Sequence, residues 1–283
     1  MEGYRQAMRS MIDLGRSTPA DAKDVATVCP GWSVHDHLSH IAALETYFDG
    51  GDYPRVKLPE DLSHVRSDFG RWMEYGVHAR RDLPTDEVVD ELETLLHNRI
   101  ASLSNPELTL ESLVRGPMGK EIALADLMGR RLVDIWVHEQ DIREALGRIG
   151  NLDSPAAALF MDRIVDSFPR VVAKRLDLPA GQSVILESTG PVTGRVGVRM
   201  VHGPEGEVVP RPLFSGDSDA AAADQADQAG HPDEEVSTTT ISLSTDALTR
   251  RSAGRRSTQD TTYRVVGDED VARAVLDALV ITP

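Results

Sequence analysis

At 283 residues the chain is longer than a typical single domain, and its 40% hydrophobic content suffices for ordinary packed cores, so two domains are expected. A formal net charge of −16 argues against a nucleic-acid or anionic-membrane partner, because like charges repel. The one cysteine, Cys29, excludes an intramolecular disulfide.

The amphipathic start "MEGYRQAMRSMIDLG" has neither the apolar core nor the cleavage site of a signal peptide, and no stretch reaches transmembrane length. A soluble, cytoplasmic protein is the reading. Residues 4–15 form a first predicted helix, with Met8, Met11, Ile12 and Leu14 near one face. Pro30-Gly31 breaks the chain, and Ser33 is the N-cap candidate for a helix over 34–48, where Val34, Leu38, Ile41, Leu44 and Phe48 keep helical spacing. "GGDYP" ends it. Further helices are predicted over 61–81 and from Thr85 through Ile100, followed by a Gly- and Pro-rich loop, "RGPMGKE". The strongest helix covers 121–147 and stops at Gly147 and Gly150. Long helices joined by short connections imply an antiparallel bundle over residues 1–150.

Residues 151–283 read differently. A helix over 155–176 precedes "SVILES", "GRVGVRMVHG" and "EEVSTTTISLS", where β-branched and polar residues alternate as in half-exposed strands. "TTYRVVGD" and "EDVARAVLDALVIT" add a last strand and helix, so the fold class is α followed by α+β. The acidic, Ala-rich segment 216–235 reads as a mobile loop, and the arginines of "RRSAGRR" (250–256) as a solvated face. There is no internal repeat.

Chemistry concentrates in two of the helices. In "CPGWSVHDHLSHIAALE" (29–45), a projection at 100° per residue puts His37 inside the apolar face as a core histidine, His40 on its flank and His35 towards solvent. Of the three, His40 is the better placed ligand at a bundle seam. In "RRLVDIWVHEQDIREALG" (130–147), Asp134 and His138 stand one turn apart beside the stripe of Leu132, Ile135, Ile142 and Leu146, and Asp141 continues their line. A carboxylate and an imidazole at i and i+4 can share one cation, although a plain helix-surface hydrogen bond is the commoner use of such a pair. A third ligand from a facing helix would leave one metal position open, as in catalytic zinc sites. Cys29 reads as a buried thiol without a visible partner, and Glu139 and Glu144 as solvating groups. The remaining histidines (His64, His78, His97, His202, His231) show no partner pattern. No phosphate-cradling Gly loop, nucleophile elbow or paired cysteines occur.

These two segments resemble the paired motifs of the mycothiol-dependent maleylpyruvate isomerase-like family, within the DinB-like metalloenzyme superfamily: a Trp-Ser-Val…His stretch, and a carboxylate shortly before a His followed by "DIR". "TISLSTDALTRRSAGRR" and "TTYRVVGDEDVARAVLDALVITP" resemble the small sterol-carrier-like domain such proteins carry. The resemblance implies a DinB-like four-helix bundle and a divalent metal, zinc foremost, on His40, Asp134 and His138. Asp134 stands where many relatives have Glu, which is one methylene longer. It further implies mycothiol as thiol cosubstrate, activated as a metal-bound thiolate against a small electrophile, in an isomerase or S-transferase reaction. Asp36 and Asp141 are candidate acceptors for the ligand imidazoles. A hydrolase using metal-bound water and a non-catalytic metal module are the alternatives, and the chain is expected as a monomer or homodimer.

Overall fold

A computed structural model describes residues 1–214 and 236–282. The segment expected to be a mobile loop, 216–235, and with it His231, lies outside the described residues. The chain divides into two compact units, Met1–Ala156 and Ala157–Pro283. The fold is α followed by α+β, with eight α-helices among the described residues.

The first unit holds α1 (Glu2–Arg16), α2 (Val34–Phe48), α3 (Asp68–His78), α4 (Thr85–Leu103) and α5 (Leu124–Ala145). Four of them close a ring in the order α1, α4, α2, α5, and α3 packs outside on α2. Their apolar stripes meet in one core that includes Met8, Met11, Leu38, Ile41, Leu92, Ile135 and Ile142. Gly76 is the point of closest approach between α3 and α2: a Cβ there would collide with Ala43 and Tyr53.

The ring is not antiparallel throughout. Arg16 at the end of α1 pairs with Asp90 and Glu93 early in α4, so those two run oppositely. His35 meets Thr85 and Phe48 meets Arg99, so α2 and α4 run the same way. Ser10 meets Glu139 and Ser17 meets Arg148, which makes α1 and α5 parallel. The cause is the long connection 49–84, which carries the chain back to the end where α2 began, as crossover connections do in bundles.

Local chemistry sets the helix starts. Ser33 caps α2 in a reciprocal capping box: its side chain accepts from Asp36 N–H, and Asp36 accepts from Ser33 N–H at 2.9 Å. Helix α3 begins at Asp68 rather than near residue 61, because Ser67 is its N-cap, accepting from Gly70 N–H. Residues read as a loop and the first turn of a helix instead form a two-stranded ribbon, β1 (Leu113–Arg115) against β2 (Glu121–Ala123), so α5 starts at Leu124.

Helix α6 (Pro155–Arg175) starts two residues before the boundary, and the second unit contains the rest of it with β3 (Gln182–Thr189), β4 (Gly194–His202), β5 (Val208–Pro212), β6 (Ser237–Ser244), α7 (Thr245–Ser252), β7 (Arg264–Val266) and α8 (Glu269–Ala278). The sheet order is β5-β4-β3-β6-β7, with only the β3–β6 pair parallel. Strand β5 escapes sequence reading because prolines at 210 and 212 argue against a strand, and its place at the sheet edge is what tolerates them. The "RRSAGRR" cluster is not a solvated face. Arg250 and Arg251 are buried, and Arg251 donates to the carbonyls of Leu276 and Asp277 at 2.8 and 3.0 Å, satisfying the last turn of α8.

Candidate metal centre

The antiparallel seam between α2 and α5 buries an unusual number of polar groups. His37, His40, His138 and Asp141 are each less than a tenth exposed. Helix α2 supplies His37 and His40 one turn apart, and α5 supplies Asp134, His138 and Asp141 along one face.

His40, Asp134 and His138 each bring one donor atom to a common place, all within 4.8 Å of one another. The two carboxylate oxygens divide between the imidazoles: Oδ2 lies 3.5 Å from His40 Nε2 and Oδ1 lies 3.6 Å from His138 Nε2. Neither ring nitrogen of His40 makes a hydrogen bond among the described residues, although the ring is buried. A buried imidazole without a partner is costly unless something else occupies its lone pair. Zinc bonds of about 2.0–2.2 Å to N and O hold neighbouring tetrahedral donors roughly 3.3–3.5 Å apart, close to the spacings found. The residues present therefore fit a divalent ion.

The electrostatics are consistent with that use. Burial pushes His40 down to about 4, against the pull of Asp134, so it is neutral at pH 7. Burial acts in the same sense on His138, but Asp134, Asp141 and Cys29 outweigh it and hold this imidazole well above its ordinary value of 6.5. For Asp134, burial favours the neutral acid, but Arg131 and the two imidazoles prevail and keep it ionised. Arg131 holds the carboxylate directly, Nη1 to Oδ2 at 2.5 Å, and is itself fixed by Glu45 at 2.8 Å.

Second contacts orient these side chains. His138 Nδ1 lies 3.2 Å from Asp141 Oδ2 and 2.9 Å from His37 Nδ1. Asp141 thus stands where an acceptor for the imidazole was expected. Asp36 does not: it is spent on the Ser33 cap and on Arg81 at 3.0 Å. Trp32 covers the imidazoles, its ring centroid 5.4, 5.0 and 5.6 Å from those of His37, His40 and His138. Its indole N–H is held by Glu74 of α3 at 3.0 Å. Sequence reading used Trp32 only as a marker; its place beside a Pro-Gly turn, one residue before the cap, was the available signal.

Three further readings change. His35 is buried, bonding Thr85 Oγ1 at 3.0 Å and the Arg80 carbonyl at 2.8 Å, because α4 covers the side of α2 that the projection left to solvent. Glu139 is fully buried, accepting from Ser10, Arg143 and Asn151. Cys29 is half-buried rather than buried, and it has a partner: Sγ lies 3.4 Å from Asp141 Oδ2.

Residues 4–143 match the family model of the mycothiol maleylpyruvate isomerase N-terminal domain. Among solved structures, the chain is similar to the crystal structure of the mycothiol-dependent maleylpyruvate isomerase, at 14% identity and a TM-score of 0.50, over 93% of this chain and 90% of that one. A histidine-to-alanine mutant of that enzyme matches at 12% identity and 0.49, with the same coverage. No curated protein matches. The family likeness thus rests on the helical unit, residues 4–143, which match the mycothiol maleylpyruvate isomerase N-terminal domain.

Proposed function

We propose that this protein is a mycothiol-dependent metalloenzyme in which His40, Asp134 and His138 hold a divalent ion, zinc foremost. The observation that carries the reading is the buried His40, with no hydrogen bond of its own and a carboxylate and a second imidazole within 4.8 Å. When bound, such an ion supplies Lewis acidity that makes a coordinated thiol ionise at neutral pH. Three protein ligands leave room for that thiol. The match of residues 4–143 to a mycothiol-dependent family favours mycothiol, and a small electrophile is the second substrate, in an isomerase or S-transferase reaction.

The chain's own residues have defined tasks. The proton on His138 Nδ1 faces His37 Nδ1 at 2.9 Å and Asp141 Oδ2 at 3.2 Å, which keeps the Nε2 lone pair on the metal side. Arg131 fixes the rotamer of Asp134, the shorter carboxylate, and shares its charge. Trp32 excludes water from one side of the imidazoles.

The test is metal content together with turnover. Wild-type protein is expected to hold one zinc per chain, His138→Ala to hold none, and loaded wild type to consume an electrophile only when mycothiol is present. Equal zinc in both proteins overturns the ligand assignment. Turnover without thiol points to the hydrolase, and no turnover with any of a panel of electrophiles to a binding module.

A further inference from the structure

The other nitrogen of His138 looks into a second group of donors. Cys29, His37, His138 and Asp141 each present one donor atom, and all four lie within 4.8 Å of one another. His37 Nδ1 and His138 Nδ1 are 2.9 Å apart, and Asp141 Oδ2 is 3.2 Å from the second and 4.0 Å from the first. Cys29 Sγ is 3.4 Å from the same oxygen. Zinc bonds of about 2.0 Å to N or O and 2.3 Å to S give tetrahedral edges of roughly 3.3–3.5 Å, and the separations of 2.9–4.0 Å found here bracket them.

The surroundings of His37 allow the tautomer that such a site needs. The Thr27 hydroxyl lies 3.1 Å from the Trp32 carbonyl, which only accepts. With the hydroxyl proton given to that carbonyl, His37 Nε2, 2.8 Å from the same hydroxyl oxygen, donates and leaves the lone pair on Nδ1, facing the cluster. Cys29 is tied to the same hydroxyl through its backbone N–H at 3.2 Å, so one threonine positions both the thiol's residue and the imidazole.

We propose that Cys29, His37, His138 and Asp141 form a second, thiolate-containing metal position for a thiophilic divalent ion such as zinc. It is an alternative to the first position and not an addition to it. A neutral imidazole has one lone pair: with the ion on His138 Nε2, the proton sits on Nδ1 beside Asp141, and with the ion on Nδ1, the proton sits on Nε2, 3.6 Å from Asp134 Oδ1. Binding at the second position releases the Cys29 thiol proton to solvent and changes no oxidation state. Four protein donors close the coordination shell, as in structural rather than catalytic sites. An ion held there is stored one imidazole away from the open position. The four-donor position stands whether or not the three-donor set is catalytic.

Cobalt(II) reports the difference, because a cobalt–thiolate bond absorbs in the near ultraviolet and imidazole and carboxylate bonds do not. His40→Ala and Asp134→Asn disable the first position only. Each is expected to bind one cobalt per chain with the thiolate band, and adding Cys29→Ser to either background should remove the band. Asp134→Asn preserves side-chain shape and reads the same quantity should His40→Ala fail to fold, far-ultraviolet circular dichroism deciding which is folded. Folded variants that bind no cobalt, or bind it without the band, overturn the second position. Two ions on one wild-type chain overturn the competition for His138.

Discussion

Helices α2 and α5 bury two polar clusters along one seam, and the two are built on opposite plans. Around Glu45 the charges answer one another: Tyr4 donates to it at 2.5 Å, Arg131 at 2.8 Å, and Arg99, 3.9 Å away, also donates to the Phe48 carbonyl. Burial and the Glu45 charge together push the Tyr4 hydroxyl far up, so it stays a donor at any ordinary pH. Around His40, by contrast, three imidazoles crowd beneath one indole, and His40 has no hydrogen bond among the described residues. In the first cluster each charged side chain faces an opposite charge, and only Arg99 Nε and Arg131 Nη2 are left without a hydrogen bond among the described residues. In the second, both ring nitrogens of His40 are left without one, and the residues around it fit a divalent ion. Arg131 belongs to both, with one arm on Glu45 and one on Asp134.

The largest expected effect falls on the Glu45 cluster. Glu45→Ala removes the carboxylate that faces two buried guanidinium groups, leaving Arg99 without a counter-charge and Arg131 with Asp134 alone, and should cost about 3–5 kcal/mol, the usual penalty for leaving a buried charge unanswered. Denaturant unfolding of metal-free protein measures it. A loss below about 1 kcal/mol would make the two clusters alike and remove the distinction. On the His40 cluster the corresponding change is in affinity. Asp141→Asn keeps the shape but weakens the acceptor of His138, so zinc affinity in competition with a chelator should fall about 10–100-fold. Unchanged affinity would detach Asp141 from the metal chemistry.

The clusters also differ in how pH reaches them. In metal-free protein the raised His138 contributes stability that is full below 6.5 and is lost as pH rises through its folded value. Asp134, held well below 3.8, contributes stability that is full above 3.8 and is lost as pH falls through its depressed value. His40 runs opposite to His138: its contribution is full above 6.5 and is lost as pH falls from there towards about 4. Metal-free protein should therefore show a Tm that declines on the alkaline side, where His138 gives up its proton. Zinc takes the place of that proton, so the loaded protein should not share the decline. Melting curves across pH with chelator and with zinc check this, and identical alkaline slopes would separate His138 from the ion.

What sequence patterning could reveal follows from the same contrast. The i,i+4 pair Asp134–His138 and the flank position of His40 were legible from helical periodicity, and the family resemblance was what joined them into one set. So was the capping residue Ser33, whose chemistry is local. The Glu45 cluster was not, since its partners Tyr4, Arg99 and Arg131 come from three other helices and only the ring order α1, α4, α2, α5 brings them together. His35 and Glu139 were assigned to solvent for a related reason: an amphipathic projection knows one apolar stripe, whereas α2 and α5 are contacted on several sides. The change of helix direction after α2 was hidden in the 49–84 connection, whose length says that a crossover is affordable and not that one is made. In the second unit the alternating strands were legible, while the burial of Arg251 depended on the carbonyl end of α8, some twenty-five residues further on, which no local pattern encodes.

The smallest effect sharpens where the two clusters part. Ser33→Ala removes the hydroxyl that accepts from Asp36 N–H and should cost about 1 kcal/mol of stability. Asp36 keeps its ion pair with Arg81 at 3.0 Å, so the loss is confined to the first turn of α2. That turn carries His37, whereas His40 and Glu45 stand further along the helix. Stability should fall, zinc affinity of the three-donor set should hold, and the cobalt–thiolate band in the Asp134→Asn background should weaken. If zinc affinity of the three-donor set falls as much as the band, the first turn and the rest of α2 move as one body. The donor groups on the two sides of His138 would then be a single site, with Ser33 holding all of it.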